Sequence, residues 1–164
     1  MNKQELQNEI NKTKEHLATM EKMLAECEYE RWKPKQDNFY WFVDTYLKVI
    51  NDYWFGSCDE RELYNAYNCF QTREQAEAEA EKILVRRMLE DIARRLNKGE
   101  KIDWNEESQP KYFIEYVTSD DKLEYDSSSL FKNEGTVYCL DSNFYDVTIQ
   151  EIGEERLKKY LRGE

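Results

Sequence analysis

Within the first thirty residues, mostly apolar side chains recur at alternating spacings of four and three positions. Neither Gly nor Pro interrupts the run, which comprises Leu6, Ile10, Thr13, Leu17, Met20, Leu24 and Cys27. A repeat of 3.5 residues places such side chains along one side of an α-helix and is typical of a coiled coil. The pattern therefore predicts an N-terminal helix over residues 1–30 that self-associates through Leu6, Ile10, Leu17, Met20 and Leu24.

A second arrangement of this helix is open from the sequence. The helix could fold back onto the remainder of the chain, for example onto a long helix predicted further along. Self-association is favoured because a helix of about 28 residues spans about 42 Å, which is longer than a small domain needs for its own core.

Residues 31–102 begin a different pattern. Pro34 and the Asp37-Asn38 turn residues separate the first helix from an aromatic run over 39–43, and a second strand-like stretch covers 46–53. Such β-branched and aromatic runs around a turn predict a hairpin. Residues 56–60 are then predicted as a loop, and residues 63–70 as a further short element.

A capped helix is predicted to close this segment. Thr72 is followed at the third position by Gln75, which is the spacing of a capping box, and Lys98-Gly99 supplies a C-terminal stop. The helix between them, over about 73–97, has one apolar side.

Residues 103–164 repeat the order of the preceding segment. Trp104 precedes the aromatic run at 112–114 as Trp32 precedes the run at 40–42, a second strand follows at 122–125, and Ser142 stands before a last helix as Thr72 stands before the earlier one. This predicts two related ββα-like units, in which Trp32 and Trp104 are buried at equivalent places. Chance recurrence of aromatic strands and capped helices is the alternative.

The fold class expected from these patterns is α+β. A long N-terminal coiled-coil helix over 1–30 precedes a first sheet-plus-helix unit over 31–102 and a second, acidic unit over 103–164. The two units have aromatic-rich antiparallel strands and share one core.

The last third of the chain is strongly acidic. The formal net charge is −11, and residues 103–164 hold 15 acidic against 7 basic side chains. A negative field repels a phosphate backbone, so direct nucleic-acid binding is disfavoured and a basic partner is favoured. Aromatic residues make up 14% of the chain, which is unlike a disordered segment.

The sequence contains little of the chemistry that catalysis needs. His16 is the only histidine and lies in the first predicted helix, the four cysteines are widely separated, and no glycine-rich phosphate-binding motif is present. We therefore expect no enzymatic activity, no cofactor and no metal site. Without a signal peptide or a long apolar run, a cytoplasmic location with no membrane contact is expected.

Two groups of residues are candidates for binding a partner. The acidic residues Asp120, Asp121, Glu124 and Asp126, with Glu106, Glu107, Glu115 and Glu134 nearby in sequence, fit one negative strip that resembles a phosphate track. Trp41 and Trp54 belong to a set of aromatic residues too large for one face of a two-stranded sheet, so exposed rings that anchor a partner or stack on a ligand are expected. A solvated acidic surface and ordinary core packing are the alternatives.

Several short motifs resemble a widespread group of small proteins encoded by phages and prophages of Gram-positive bacteria. The motifs are Trp32-x-Pro34, Tyr40-Trp41-Phe42, the run from Asn68 to Glu77, Asp103-Trp104-Asn105 and the run from Glu151 to Tyr160. The resemblance spans nearly the whole chain, but the group has no settled activity and implies no site residues. It implies a location in the host cytoplasm, where small acidic accessory proteins often bind host machinery.

The function expected from the sequence is that of a non-enzymatic phage accessory protein. It would bind a host protein with a basic surface and inhibit a host-defence enzyme, as anti-CRISPR proteins do, or another nucleic-acid-binding enzyme. A binder of a small nucleotide signal with an aromatic pocket, and a virion or assembly component built on the coiled coil, are the alternatives.

Overall fold

The structure, a computed structural model, describes residues 3–27, 31–128 and 131–164. These residues form five helices and four strands: α1 Lys3–Cys27, β1 Phe39–Val43, β2 Val49–Tyr53, α2 Cys58–Asn65, α3 Arg73–Leu96, β3 Lys111–Val117, β4 Lys122–Ser128, α4 Phe144–Ile152 and α5 Glu154–Arg162. The α+β class is confirmed. The chain divides into two compact units, residues 1–34 and residues 35–164.

The four strands make two separate antiparallel hairpins, β1–β2 and β3–β4. Each hairpin also receives one isolated antiparallel bridge from a segment that lies just before a helix. Trp41 pairs with Phe70 ahead of α3, and Tyr112 pairs with Cys139 ahead of α4. This common order is what related units would show, and the duplication itself stays a prediction.

Helix α3 packs against both hairpins, with small side chains in its first half and mostly larger ones in its second half. Its first half packs Ala76 and Ala80 against Val43 of the first hairpin, where small side chains let the strand approach closely. Its second half contributes to the main core with Val85, Leu89, Ile92 and Ala93. The remaining buried members of that core come from β3, β4, α4, α5 and the bridge segment: Ile114, Leu123, Cys139, Phe144, Ile152 and Leu157.

The capping box predicted for α3 is confirmed. The Gln75 amide donates to the Thr72 hydroxyl over 3.3 Å, and the Gln75 side-chain oxygen accepts from the Thr72 amide over 3.2 Å. The helix ends at Leu96, just before Lys98 and Gly99, which both have positive φ. Local chemistry therefore determines both ends of this helix.

The loop predicted over 56–60 is wrong, because a second capping box starts helix α2 there. The Ser57 hydroxyl accepts from the Glu60 amide over 3.2 Å, and the Glu60 carboxylate accepts from the Ser57 amide over 2.6 Å and from the Phe55 amide over 3.0 Å. Glu60 is 7% exposed. Burial raises the pKa of Glu60, but the hydrogen bonds from Phe55 and Ser57 outweigh it and hold that pKa below its ordinary value.

Two further expectations differ from the structure. The last helix is two helices, because Gly153 with φ 92° breaks it between α4 and α5. Trp32 and Trp104 are both half-buried rather than buried. Trp104 packs edge-on against Tyr138, with ring centroids 4.9 Å apart, and has the Lys111 amine 5.5 Å from its ring.

Candidate functional site

The β3–β4 hairpin separates its side chains into two faces, since successive residues of a strand point in opposite directions. The inner face carries Ile114 and Leu123, which are buried in the main core. The outer face carries Lys111, Phe113 and Glu115 from β3 and Lys122, Glu124 and Asp126 from β4, with Phe113 opposite Asp126 and Glu115 opposite Glu124.

One end of the outer face is covered. Phe113 is buried beneath Tyr138, with ring centroids 5.5 Å apart, and Tyr138 in turn packs against Trp104. Lys111 is fully buried there and its amine donates to the Glu106 carbonyl over 2.7 Å. The carboxylate end stays accessible, because Glu115 and Asp126 are exposed and Glu124 is half-buried.

Three of the four acidic residues predicted as a strip lie together on this hairpin. The Lys122 amine lies 2.8 Å from Glu124 and 3.1 Å from Asp120 in the turn, and these two carboxylates raise the pKa of Lys122. The Asp126 carboxylate accepts from the Ser127 amide over 2.7 Å. We call Asp120, Glu124, Asp126 and Glu115 the acidic face.

Asp121 is engaged differently from these residues. It has φ 49° in the turn, and its carboxylate accepts from the Tyr116 hydroxyl over 2.9 Å and lies 4.0 Å from the Arg162 guanidinium. Tyr116 is on the inner face, so Asp121 connects the turn to α5. Its hydrogen bond raises the pKa of Tyr116.

Glu115 is the member of the acidic face that the sequence-based site did not include. Its register partner across the hairpin is Glu124, and like charges directly opposite each other destabilise a strand pair. The signal that could have identified Glu115 is the strand register. With Val117 paired to Lys122 across the turn, position 115 must oppose position 124.

The two predicted tryptophans do not lie on an exposed surface together. Trp54 is 5% exposed and packs edge-on against Tyr40 and Tyr64, with ring centroids 5.6 and 6.3 Å away. This burial conflicts with a partner-binding role for Trp54. Trp41 is half-buried, packs against the Val43 cluster and has the Arg73 guanidinium 5.9 Å from its ring centroid.

Other aromatic rings of the first hairpin are exposed instead. Phe39 is 51% exposed and Tyr53 is 44% exposed, and their ring centroids are 3.9 Å apart. Phe55, at 63% exposed, adds a third ring 6.4 Å from Tyr53. We call these three residues the exposed ring cluster.

A groove of about 640 Å³ lies between α3, α5 and the segment before the bridge of Cys139 to Tyr112. Its floor includes Leu89, Phe144 and Leu157, and its rim includes Lys82 and Arg87 as well as Glu79 and Glu134. The volume suits a small ligand, but the rim charges balance and select no ligand class. Neither predicted tryptophan lines this groove.

The predicted oligomerisation residues that the structure describes lie along α1. Leu6, Ile10, Leu17 and Met20 are all exposed. The side chain of Leu24 lies outside the described residues, as does that of Cys27.

Neither a metal site nor a membrane-spanning helix is formed by the residues that the structure describes. In that part of the chain no group of His, Cys, Asp and Glu side chains is placed to hold a metal ion. No helix formed by those residues is long and apolar enough to cross a membrane.

Comparison of the chain with protein-family models, with curated proteins and with solved structures finds no match.

Proposed function

We propose that this chain is a non-enzymatic interaction protein that binds a basic surface of another protein through the acidic face. The observation that carries the proposal is the placement of Glu115 directly opposite Glu124. Asp126 and Asp120 extend the same charge along the strand and into the turn.

The repulsion between Glu115 and Glu124 lowers the stability of the hairpin, and this loss is the reason to assign the pair a function. A like-charge pair at directly opposed positions destabilises a hairpin. Lys122 offsets part of that cost through its contacts with Glu124 and Asp120. The repulsion that remains is a local cost of the kind found where function and stability conflict, and a cationic partner would remove it.

The resemblance to phage-encoded proteins suggests which partner to look for. In a bacterial host, proteins with large basic surfaces include nucleic-acid-binding enzymes, and defence nucleases are among them. An acidic face that competes for such a surface would inhibit the enzyme without any chemistry of its own.

The test starts from capture of a partner from host lysate and then measures its association rate with variants. The triple variant Glu115→Gln, Glu124→Gln and Asp126→Asn removes three charges from the acidic face. The control variant Asp59→Asn, Glu62→Gln and Glu100→Gln removes three exposed charges elsewhere on the body. We expect the first variant to associate about tenfold more slowly at low salt, with the difference shrinking as salt screens the charges. Equal association rates for both variants would contradict the proposal.

A second candidate function is supported by the exposed ring cluster. Three adjacent exposed rings are suited to stacking on a planar ligand or anchoring a partner. In that case Phe39→Ala and Phe55→Ala would abolish binding, and neither set of charge changes would alter it.

A further inference from the structure

Helix α1 presents an apolar stripe on an otherwise polar surface. Leu6, Ile10, Leu17 and Met20 are 47%, 41%, 57% and 55% exposed. Their spacing assigns Ile10 and Leu17 to the a positions of a heptad, and Leu6, Thr13 and Met20 to the d positions.

The residues along this stripe line a groove that matches the holes of knobs-into-holes packing. A groove of about 290 Å³ on α1 is lined by Leu6, Glu9, Ile10, Thr13, Lys14 and Leu17. In a coiled coil each knob enters a hole formed by four residues of the facing helix. The first four lining residues are the hole for an a side chain, and the last four are the hole for the following d side chain. The groove therefore fits the a and d side chains of a helix with the same repeat.

Thr13 is compatible with this packing although it is polar. Its hydroxyl donates to the Glu9 carbonyl of its own helix over 2.8 Å. Because that hydrogen bond is made within the helix, the Thr13 methyl group can face a partner without leaving a polar atom unsatisfied.

We propose that the occupant of this groove is α1 of a second copy of this chain, in a parallel and in-register coiled coil. Charge complementarity favours this partner, and it favours the parallel direction over the antiparallel alignment centred on the stripe. Glu9 is at a g position and Lys14 at the following e position, and these two positions meet across a parallel pair. Each Glu9 would thus meet Lys14 of the other copy, and this attraction occurs twice. The antiparallel alignment centred on the stripe instead brings the two Lys14 side chains together.

This inference rests on α1 alone and is independent of the acidic face. Sedimentation equilibrium of the full chain at 1–100 µM tests the association, a range suited to about micromolar affinity. We expect a mass twice that of the 19.9 kDa chain. Leu17→Glu should yield a monomer with an unchanged thermal unfolding midpoint of the body. Ala18→Glu adds the same charge one position off the stripe and should stay dimeric.

A monomeric native chain, a trimer, or a Leu17→Glu variant that remains dimeric would each overturn the proposal. A monomer would also be the result if α1 packs on the body of its own chain. Charge exchange tests the pairing separately. Glu9→Lys alone and Lys14→Glu alone should each weaken dimerisation by about threefold to tenfold, and the double variant should restore it. A double variant as weak as the single variants would contradict the pairing.

Disulfide trapping tests the direction. Thr13→Cys, in a chain that also carries Cys27→Ser and Cys58→Ser, should form a covalent dimer in a glutathione redox buffer, because opposed d positions meet in a parallel pair. An antiparallel alignment that pairs Lys14 with Glu21 places position 13 beside Leu24 of the other copy and gives no crosslink. Adding Leu17→Glu supplies the monomeric control. An intact dimer that does not crosslink would overturn the parallel assignment.

Discussion

Glu60 is predicted to stabilise the body through its buried carboxylate, and Glu60→Gln measures that contribution. The substitution keeps the size of the side chain but removes its charge and one acceptor oxygen. In the native structure the carboxylate accepts from the backbone amides of Phe55 and Ser57 at distances between 2.6 and 3.1 Å. Hydrogen bonds to charged groups contribute about 1.5–3 kcal/mol each. Since the Gln oxygen can retain part of this, we expect a loss of about 2 kcal/mol.

The contribution of Glu60 to the unfolding free energy should depend on pH. The folded-state pKa of Glu60 lies below its ordinary value of 4.5, so its stabilising contribution is present above that value and is lost as the pH falls through the folded pKa. The Gln variant has no such group. The difference in unfolding free energy between the two proteins should therefore be constant near pH 7 and shrink as the pH falls below 4.5.

Urea unfolding followed by circular dichroism at a series of pH values provides the measurement. Glu62→Gln is the matched control, because Glu62 is exposed on the same helix, and it should change stability by less than about 0.5 kcal/mol. A stabilising role for the Glu60 carboxylate is excluded if Glu60→Gln costs no more than the control, or if its cost does not change with pH.

Three other substitutions test separate parts of the fold. Trp54→Ala should lower the unfolding free energy by about 3–5 kcal/mol because it removes a buried ring, whereas Phe55→Ala at the exposed neighbour should change it little; urea unfolding decides, and similar effects would contradict the assignment. Gly153→Ala should cost about 1–3 kcal/mol, since φ is 92° there, and an unchanged melting temperature would argue for one continuous helix. Lys111→Met should cost about 1–3 kcal/mol because the Glu106 carbonyl loses its donor, and a more stable variant would show that the buried amine is not needed.

Local chemistry explains what the sequence predicted correctly. Thr72 and Gln75 determine the start of α3 within one helical turn, and Lys98 with Gly99 ends it, so no distant residue is needed. The run over 39–43 is also a strand for a local reason, because its aromatic and β-branched residues favour extended backbone. The same local pattern, Ser57 followed by Glu60, was present at α2, but the neighbouring Gly56 favoured a loop.

Long-range packing explains what the sequence did not predict. Trp54 is buried because α2 places Tyr64 against it, and no spacing within the strands reveals that cover. The opposition of Glu115 and Glu124 depends on the register of the hairpin, which requires the turn to be placed correctly. The acidic character of residues 103–164 was readable from composition, whereas the residues that share one face were not.

The sharing of α3 between both hairpins limits how the protein can be dissected. A fragment of residues 103–164 would keep the acidic face but lose Val85, Leu89 and Ile92, which belong to the same buried cluster as Ile114 and Leu157. Ile114 and Leu157 would then face water and favour aggregation of the fragment. If this chain were truncated to locate its partner-binding segment, the fragments would therefore bind other proteins non-specifically through exposed core residues. Two fragments cut near Gly99 and mixed should instead reassociate, which would make this protein suited to a split-reporter assay.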